Sequence, residues 1–302
     1  MSFRKEQFLS YKKSNLIPKL SYLDEMPADE IDSLFREVLD SGIHGLCFSL
    51  YEEGQKPGDR ISEEQVRRRM EVIAPHTDWV RSFSCIEGNE HIPKVATDLG
   101  IQTLVGAWLG DDKEKNEQEI DNLIRLTEDG LVDIAAVGNE VLYREDLEES
   151  ELLGYIKEVK QRIPNDIPVG YVDAYYEFVQ RPQLTALCDV ILCNCYPFWE
   201  GTSYKDSLQH MRQMYHQVKE IANGKEVIIS ETGWPSKGES LGGANPSKIN
   251  AMKYFINANL WTQDEGIESF YFSSFDESWK VRAEGEVGAC WGIWDKDGKL
   301  KY

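Results

Sequence analysis

The chain has 302 residues, of which 41% are hydrophobic, and its 33 basic and 53 acidic residues give a formal net charge of −20 at pH 7. This length and composition suit one large globular domain with a sizeable core. Because so acidic a chain repels nucleic acid and anionic membrane surfaces, neither is expected as a partner, whereas a neutral substrate meets no electrostatic barrier.

The amino-terminal residues include basic side chains but no uninterrupted apolar stretch of the kind found in signal peptides, and nowhere does the sequence reach the roughly 18 apolar residues of a membrane helix. The six cysteines are scattered and lie mostly in apolar runs, which favours reduced thiols in a structural role. We therefore expect a soluble protein. An intracellular location is preferred, and a secreted mature form stays open.

In chain order, residues 1–42 are predicted to form an N-terminal extension that ends in a helix over 29–39 and covers the bottom of the following domain or packs on its side. From residue 43, short apolar strand candidates alternate with amphipathic helices at the spacing of βα units. The predicted strands are 43–50, 78–83, 101–107, 132–137, 168–172, 190–195, 226–230 and 269–274. The predicted helices include 63–72, 90–99, 115–127, 148–162, 204–222 and 246–260.

Eight strands that are each followed by a crossover imply parallel pairing, and the closed form of that arrangement is the (β/α)8 TIM barrel. Residues 43–302 are predicted to form this barrel as a single α/β catalytic domain. An open doubly wound sheet is the alternative, but no Gly-x-Gly-x-x-Gly motif follows the first strand.

Two carboxylates come directly after predicted strands, at the end of a barrel where catalytic groups gather. Glu231 follows the seventh strand, before a turn that contains Gly233 and Pro235, and Glu140 follows the fourth strand after Asn139. Side chains from these strands face each other across a barrel mouth, and retaining glycosidases need such a pair. The tripeptide at 138–140 is repeated at 88–90, where we interpret Asn89 as a helix N-cap.

These motifs resemble glycoside hydrolase family 17, the β-1,3-glucanases and related glucanosyltransferases with (β/α)8 barrels. The resemblance covers most of residues 43–302 and rests mainly on ETGWPS at 231–236, with its apolar lead-in, and VGNE at 137–140. Further matching segments are 192–197, 275–277 with Lys280, 285–286 and 290–295.

The resemblance implies that Glu231 is the nucleophile and Glu140 the general acid/base, with Asn139 at the sugar 2-hydroxyl and Tyr196 donating a hydrogen bond to Glu231. It also implies charged positions near the cleft, with a local ion pair as the alternative explanation. Aromatic side chains near strand ends are expected to contact sugar, and Arg81 either orients a catalytic acid or forms a buried ion pair. The charged positions are Glu277, Lys280 and Glu286, and the aromatic ones are Trp234, Phe275 and Trp199.

The leading hypothesis is a retaining hydrolase that acts on β-1,3-glucan or laminarin-type oligosaccharides through a covalent glycosyl-enzyme intermediate, as a monomer and without a cofactor. Transfer to a glucan acceptor and a non-catalytic glucan-binding barrel are the alternatives. A metal-dependent hydrolase is disfavoured because the five histidines show no ligand spacing. The sequence leaves open endo or exo action and the preferred chain length.

Overall fold

The computed structural model of the chain describes residues 22–302. Its centre is a closed barrel of parallel strands that follow one another in sequence order. The strands are β1 (Ile43–Cys47), β2 (Thr77–Arg81), β3 (Gln102–Ala107), β4 (Ile134–Asn139), β5 (Val169–Ala174), β6 (Val190–Asn194), β7 (Glu226–Thr232) and β8 (Ser269–Tyr271). The predicted TIM barrel is confirmed, and each predicted strand end lies within three residues of the observed one.

Helices surround the barrel. They are α1 (Tyr22–Glu25), α2 (Ala28–Asp40), α3 (Glu63–Ile73), α4 (His91–Asp98), α5 (Lys113–Glu128), α6 (Val141–Arg144), α7 (Glu149–Arg162), α8 (Tyr175–Gln180), α9 (Pro182–Leu187), α10 (Tyr204–Ile221), α11 (Lys248–Glu265) and α12 (Val281–Gly288). Short 3₁₀ turns cover Ala74–His76 and Ser278–Lys280.

The ends of several helices follow from capping chemistry. The Ser62 side chain accepts a hydrogen bond from Gln65 N at the start of α3, and Asp112 accepts from two amides at the start of α5. The expected cap at Asn89 is wrong. Asn89 Nδ2 instead donates to Ile86 O, and Glu90 is the residue that precedes α4. The loop 84–89 turns back on itself there, so the Asn89 side chain closes that turn.

Helix α2, which lies in the predicted N-terminal extension, packs on the side of the barrel. It lies against α11, where the Phe35 ring is 4.7 Å from that of Phe255, and it also contacts the 3₁₀ turn that leads into β2. This is the place that a helix after β8 takes in a regular barrel. Helix α2 thereby completes the outer layer, and residues 1–21 of the predicted extension lie outside the described residues.

After β8 the chain stays at the barrel mouth. It passes through the 3₁₀ turn Ser278–Lys280 and α12, and then returns through residues 289–302 to pair with its own loop. Because α2 already covers the outer side, this last segment is available to form one wall of the mouth.

The six cysteines are free thiols, and all except Cys290 are buried. Cys193 and Cys195 lie on one face of β6 with their sulfur atoms 4.0 Å apart. Within residues 22–302, no helix is long and apolar enough to cross a membrane.

Candidate active site

A cleft of about 990 Å³ opens at the carboxyl ends of the strands, the size of a site for a sugar chain. It is lined by residues at or after the carboxyl ends of the strands. They include Phe83, Trp108, Glu119, Asn139, Glu140, Arg144, Asn194, Tyr196, Trp199, Glu231, Phe272, Glu277, Lys280, Glu284 and Trp291.

Glu231 is the penultimate residue of β7 and its side chain is held in a fixed position in this cleft. Arg81 Nη1 donates to its Oε1 atom at 2.7 Å, and Tyr196 Oη donates to its Oε2 atom at 2.6 Å. Both carboxylate oxygens are therefore held, and the side chain is 6% exposed. Two donors, one of them a cation, thus fix the orientation of this carboxylate.

Arg81 also connects Glu231 to the fourth strand. Its Nη2 atom donates to Asn139 Oδ1 at 2.6 Å, and its guanidinium lies 4.1 Å from the centre of the Phe83 ring. Both roles expected for Arg81 thus occur together, because it forms a buried ion pair and orients an acid. Although burial opposes its charge, the neighbouring Glu231 carboxylate raises the pKa of Arg81.

Glu140 follows β4 in a left-handed backbone conformation, with φ 51° and ψ 31°. Its carboxyl oxygen Oε1 accepts a hydrogen bond from Asn194 Nδ2 at 2.9 Å, while Asn194 Oδ1 accepts one from Ser230 Oγ. Asn194 is the register partner of Glu231 on β6. The Asn194 amide consequently ties the Glu140 carboxyl group to β7, the strand that contains Glu231.

The two acids lie in different electrostatic surroundings. Burial, followed by the negative charge of Glu231, raises the pKa of Glu140 to about 7, and the Asn194 hydrogen bond opposes this only in part. Burial and Glu231 also raise the pKa of Tyr196 well above its ordinary value, which keeps its hydroxyl a donor. The surroundings of Glu140 therefore favour its protonated form, as a general acid requires.

An ion pair, Lys280 with Glu277, lies in the cleft wall that the segment after β8 forms. Lys280 Nζ lies 2.6 Å from Glu277 Oε2 and 4.2 Å from the centre of the Phe272 ring, and Ser49 Oγ donates to Glu277 Oε1. Glu284 also lines the cleft, and burial raises its pKa while Lys280 opposes the rise.

The structure does not support Glu286 as a cleft residue. Its side chain is 51% exposed, pairs with Lys237 and is absent from the cleft wall. The reason is the backbone of α12, which departs from helical geometry at Gly285 with φ 71° and ψ −169°. This kink sends Glu284 inward and Glu286 outward.

Trp234 is not at the sugar surface that its sequence position predicts. It is 1% exposed, lies against Phe198 and Tyr254, and donates through Nε1 to Asn245 O. Thr232 points the same way, since its hydroxyl is 2.6 Å from Tyr254 Oη. Alternation along β7 aims Glu231 into the barrel and places Thr232 and Trp234 toward the helices.

Phe275 is likewise a core residue and does not line the cleft. It is 1% exposed, and the Arg69 guanidinium lies 3.9 Å from its ring centre. The aromatic wall is formed instead by Trp199, as predicted from its position, together with Trp291 and Phe272. Trp291 and Phe272 follow β8, and the sequence pattern of that segment does not show which of its residues face the cleft.

Two further site residues were missed from the sequence. Asn194 is the one polar residue in the apolar run 190–195, a signal that could have identified it. Arg144 donates to Asn139 O and Leu109 O and stacks over Trp108 with its guanidinium carbon 4.3 Å from the ring centre. Nothing in its helical context marks Arg144 from sequence alone.

The described residues contain no group of three or more histidine, cysteine, aspartate or glutamate side chains arranged to hold a metal ion. The cleft offers two carboxyl groups in different surroundings. Glu231 lies beside the Arg81 cation, and Glu140 has a raised pKa.

Comparisons with known proteins agree with this geometry. Residues 45–292 match the BtgE/BtgC glycoside hydrolase domain. A glucan 1,3-beta-glucosidase of Candida albicans is 28% identical over 260 residues, covering 77% of this chain and 83% of the relative, and one of Schizosaccharomyces pombe is 27% identical over 98% of both chains.

Among solved structures, an active-site mutant of the Rhizomucor miehei beta-1,3-glucanosyltransferase in complex with laminaritriose superposes with a TM-score of 0.78. It is 28% identical, and the match covers 87% of this chain and 96% of that one. A second structure of that transferase, described as a member of glycoside hydrolase family 17, gives a TM-score of 0.76 at 28% identity over the same shares. The chain is a glycoside hydrolase of family 17 and belongs to the BtgE/BtgC group.

Proposed function

We propose that the chain cleaves β-1,3-linked glucan with retention of configuration, using Glu231 as nucleophile and Glu140 as general acid/base. The observation that carries this proposal is the unequal environment of the two acids. Arg81 and Tyr196 donate hydrogen bonds to the two carboxylate oxygens of Glu231, whereas burial and the charge of Glu231 raise the pKa of Glu140 to about 7. The names of the relatives support the β-1,3 linkage.

In the first half of the reaction, a carboxylate oxygen of Glu231 attacks the anomeric carbon and the glycosidic oxygen leaves with the proton of Glu140. In the second half, Glu140 takes a proton from the incoming hydroxyl, whose oxygen attacks the same carbon and releases Glu231. In this proposal Asn139, whose side chain accepts a hydrogen bond from Arg81, binds the sugar 2-hydroxyl, and Trp199 and the pair of Glu277 and Lys280 contribute to the cleft walls.

The acceptor in the second half is either water or another glucan. Hydrolysis remains the leading candidate. Transfer is the second candidate, because the superposed structures belong to a beta-1,3-glucanosyltransferase. Chromatography of the products from a laminari-oligosaccharide of defined length separates the two: products longer than the substrate indicate transfer, and only shorter ones indicate hydrolysis.

Azide distinguishes the roles of the two acids. With an activated β-laminaribioside, azide is expected to restore turnover of Glu140→Ala and to give a β-glycosyl azide, since the nucleophile is intact and azide replaces the acceptor. With Glu231→Ala, azide itself attacks the anomeric carbon and is expected to give an α-glycosyl azide. A β product from Glu231→Ala contradicts its assignment as nucleophile.

Glu90→Ala is the matched control, because Glu90 lies in the same tripeptide as Glu140. Its carboxylate accepts from Gly88 N, and it does not line the cleft. Full activity is expected for this variant. Loss of all turnover in Glu90→Ala together with normal turnover in Glu140→Ala overturns the proposal, and intact glucan binding without any turnover in the unchanged protein favours a binding barrel.

A further inference from the structure

We infer that Tyr171 and Asp173 of β5 are positioning residues for Glu140, because they fix the turn that holds this acid in the cleft. The inference rests on the proposed function of Glu140 as the general acid/base. It concerns two side chains that are both 0% exposed and do not line the cleft. Any effect they have on the reaction is therefore indirect, through the cleft residues that they hold in place.

The backbone of Glu140 needs such support. Glu140 has φ 51°, a conformation that side chains other than glycine adopt only where the surroundings fix it. Its amide donates to Val172 O at 2.8 Å, which ties it to β5. Gly138 lies two residues before Glu140 and has φ 90°. A Cβ atom at Gly138 would lie 3.2 Å from Tyr171 Cε2. The Tyr171 ring thus forms the wall behind the turn.

The second support acts on the residues after Glu140, where α6 begins at Val141. The first amides of a helix have no acceptor within it. Leu142 N donates to Tyr171 Oη at 3.0 Å, and Tyr143 N donates to Asp173 Oδ2 at 3.3 Å. Tyr171 and Asp173 thereby bind the two amides that follow the turn.

These two side chains also fix each other. Tyr171 Oη donates to Asp173 Oδ2, while Asp173 Oδ1 accepts from Ala174 N at 2.7 Å. The Tyr171 hydroxyl consequently has one donor and one acceptor partner, and neither side chain can turn without breaking several buried hydrogen bonds. The turn at Glu140 is therefore held by side chains of β5 that are themselves fixed.

A loosened turn affects one chemical step more than the others. Protonation of the leaving oxygen requires the acid within hydrogen-bond distance of that atom, and a general acid contributes typically 10²–10⁴-fold to such a step. A glucan leaves as an alkoxide and needs the proton, whereas fluoride leaves without it. Misplacement of Glu140 therefore slows cleavage of an oligosaccharide while sparing a glycosyl fluoride.

The test compares kcat/KM on a laminari-oligosaccharide with kcat/KM on β-laminaribiosyl fluoride, since kcat/KM reports the first half of the reaction alone. For Tyr171→Phe we expect a loss of about tenfold or more on the oligosaccharide and less than twofold on the fluoride. Asp173→Asn, of the same size as the native residue, is a second variant with the same expected pattern. Tyr215→Phe, a buried tyrosine of α10 that packs against Trp261, is the control and keeps both values.

Glu140→Gln is measured in parallel so that the two proposals can fail separately. If Glu140→Gln keeps its activity on the oligosaccharide, the proposed function is wrong. If Glu140→Gln shows the selective loss but Tyr171→Phe and Asp173→Asn have unchanged values, or lose both activities equally, the positioning inference is wrong. A selective loss in either β5 variant that folds supports it.

Discussion

The guanidinium of Arg81 lies 2.7 Å from the carboxylate of Glu231, and both side chains are almost fully buried. The same guanidinium binds Asn139 through its other nitrogen. One cation from β2 therefore sets the position of a group on β7 and a group on β4, and these two strands carry the proposed catalytic acids.

Replacement of Arg81 is expected to damage both stability and catalysis. Arg81→Met leaves the buried Glu231 charge without its partner, a change that typically costs about 3–5 kcal/mol of unfolding free energy. Arg81→Lys keeps the charge but cannot bind both partners in a fork, so we expect kcat/KM to fall at least tenfold with a smaller loss of stability. Urea unfolding and steady-state kinetics measure the two effects. Arg162→Met, which breaks a surface ion pair, is the control with near-normal values.

The pH profile is expected to depend on the leaving group. Burial and the charge of Glu231 raise the pKa of Glu140 to about 7. The proton on Glu140 is needed when a glucan leaves, so kcat/KM on an oligosaccharide should fall about tenfold per pH unit above this value. With β-laminaribiosyl fluoride this basic limb should be absent. An identical basic limb with both substrates contradicts the assignment of Glu140 as the acid.

The fold was largely predictable because each barrel strand is a short apolar run and each such run has a polar helix after it. Glu140 and Glu231 line the cleft, as expected, because each lies within one residue of the end of its strand. Trp234 was misplaced because the strand ends one residue after Glu231, and alternation then sends the indole toward the helices. Glu286 was misplaced because the kink at Gly285 reverses which acid faces the cleft, and that kink depends on backbone geometry rather than composition.

Anionic glycans are expected to be poor substrates. Carboxyl groups outnumber the basic groups that line the cleft, which are Lys115, Arg144 and Lys280. At about 4 Å, two like charges near a protein surface repel by up to about 4 kcal/mol. We therefore expect a laminari-oligosaccharide oxidised to carboxylates at C6 to show at least tenfold lower kcat/KM than the neutral compound. Added salt should raise its kcat/KM by screening this repulsion and leave the neutral substrate unchanged. Equal values for both substrates contradict an electrostatic selection.

Helix α2 is expected to be necessary for the stability of the barrel although it precedes the first strand. Phe35 is 0% exposed and packs between Phe255 of α11 and Tyr302, so Phe35→Ala opens a cavity where the outer layer closes. Such a change typically costs about 3–5 kcal/mol, which corresponds to roughly 5–8 °C in Tm for a domain of this size. Glu37→Ala, on the exposed face of the same helix, is the control and should unfold near the normal temperature. Calorimetry of both variants measures the difference. If Phe35→Ala also unfolds near the normal temperature, α2 is an appendage, and the barrel is closed by its strands and remaining helices alone.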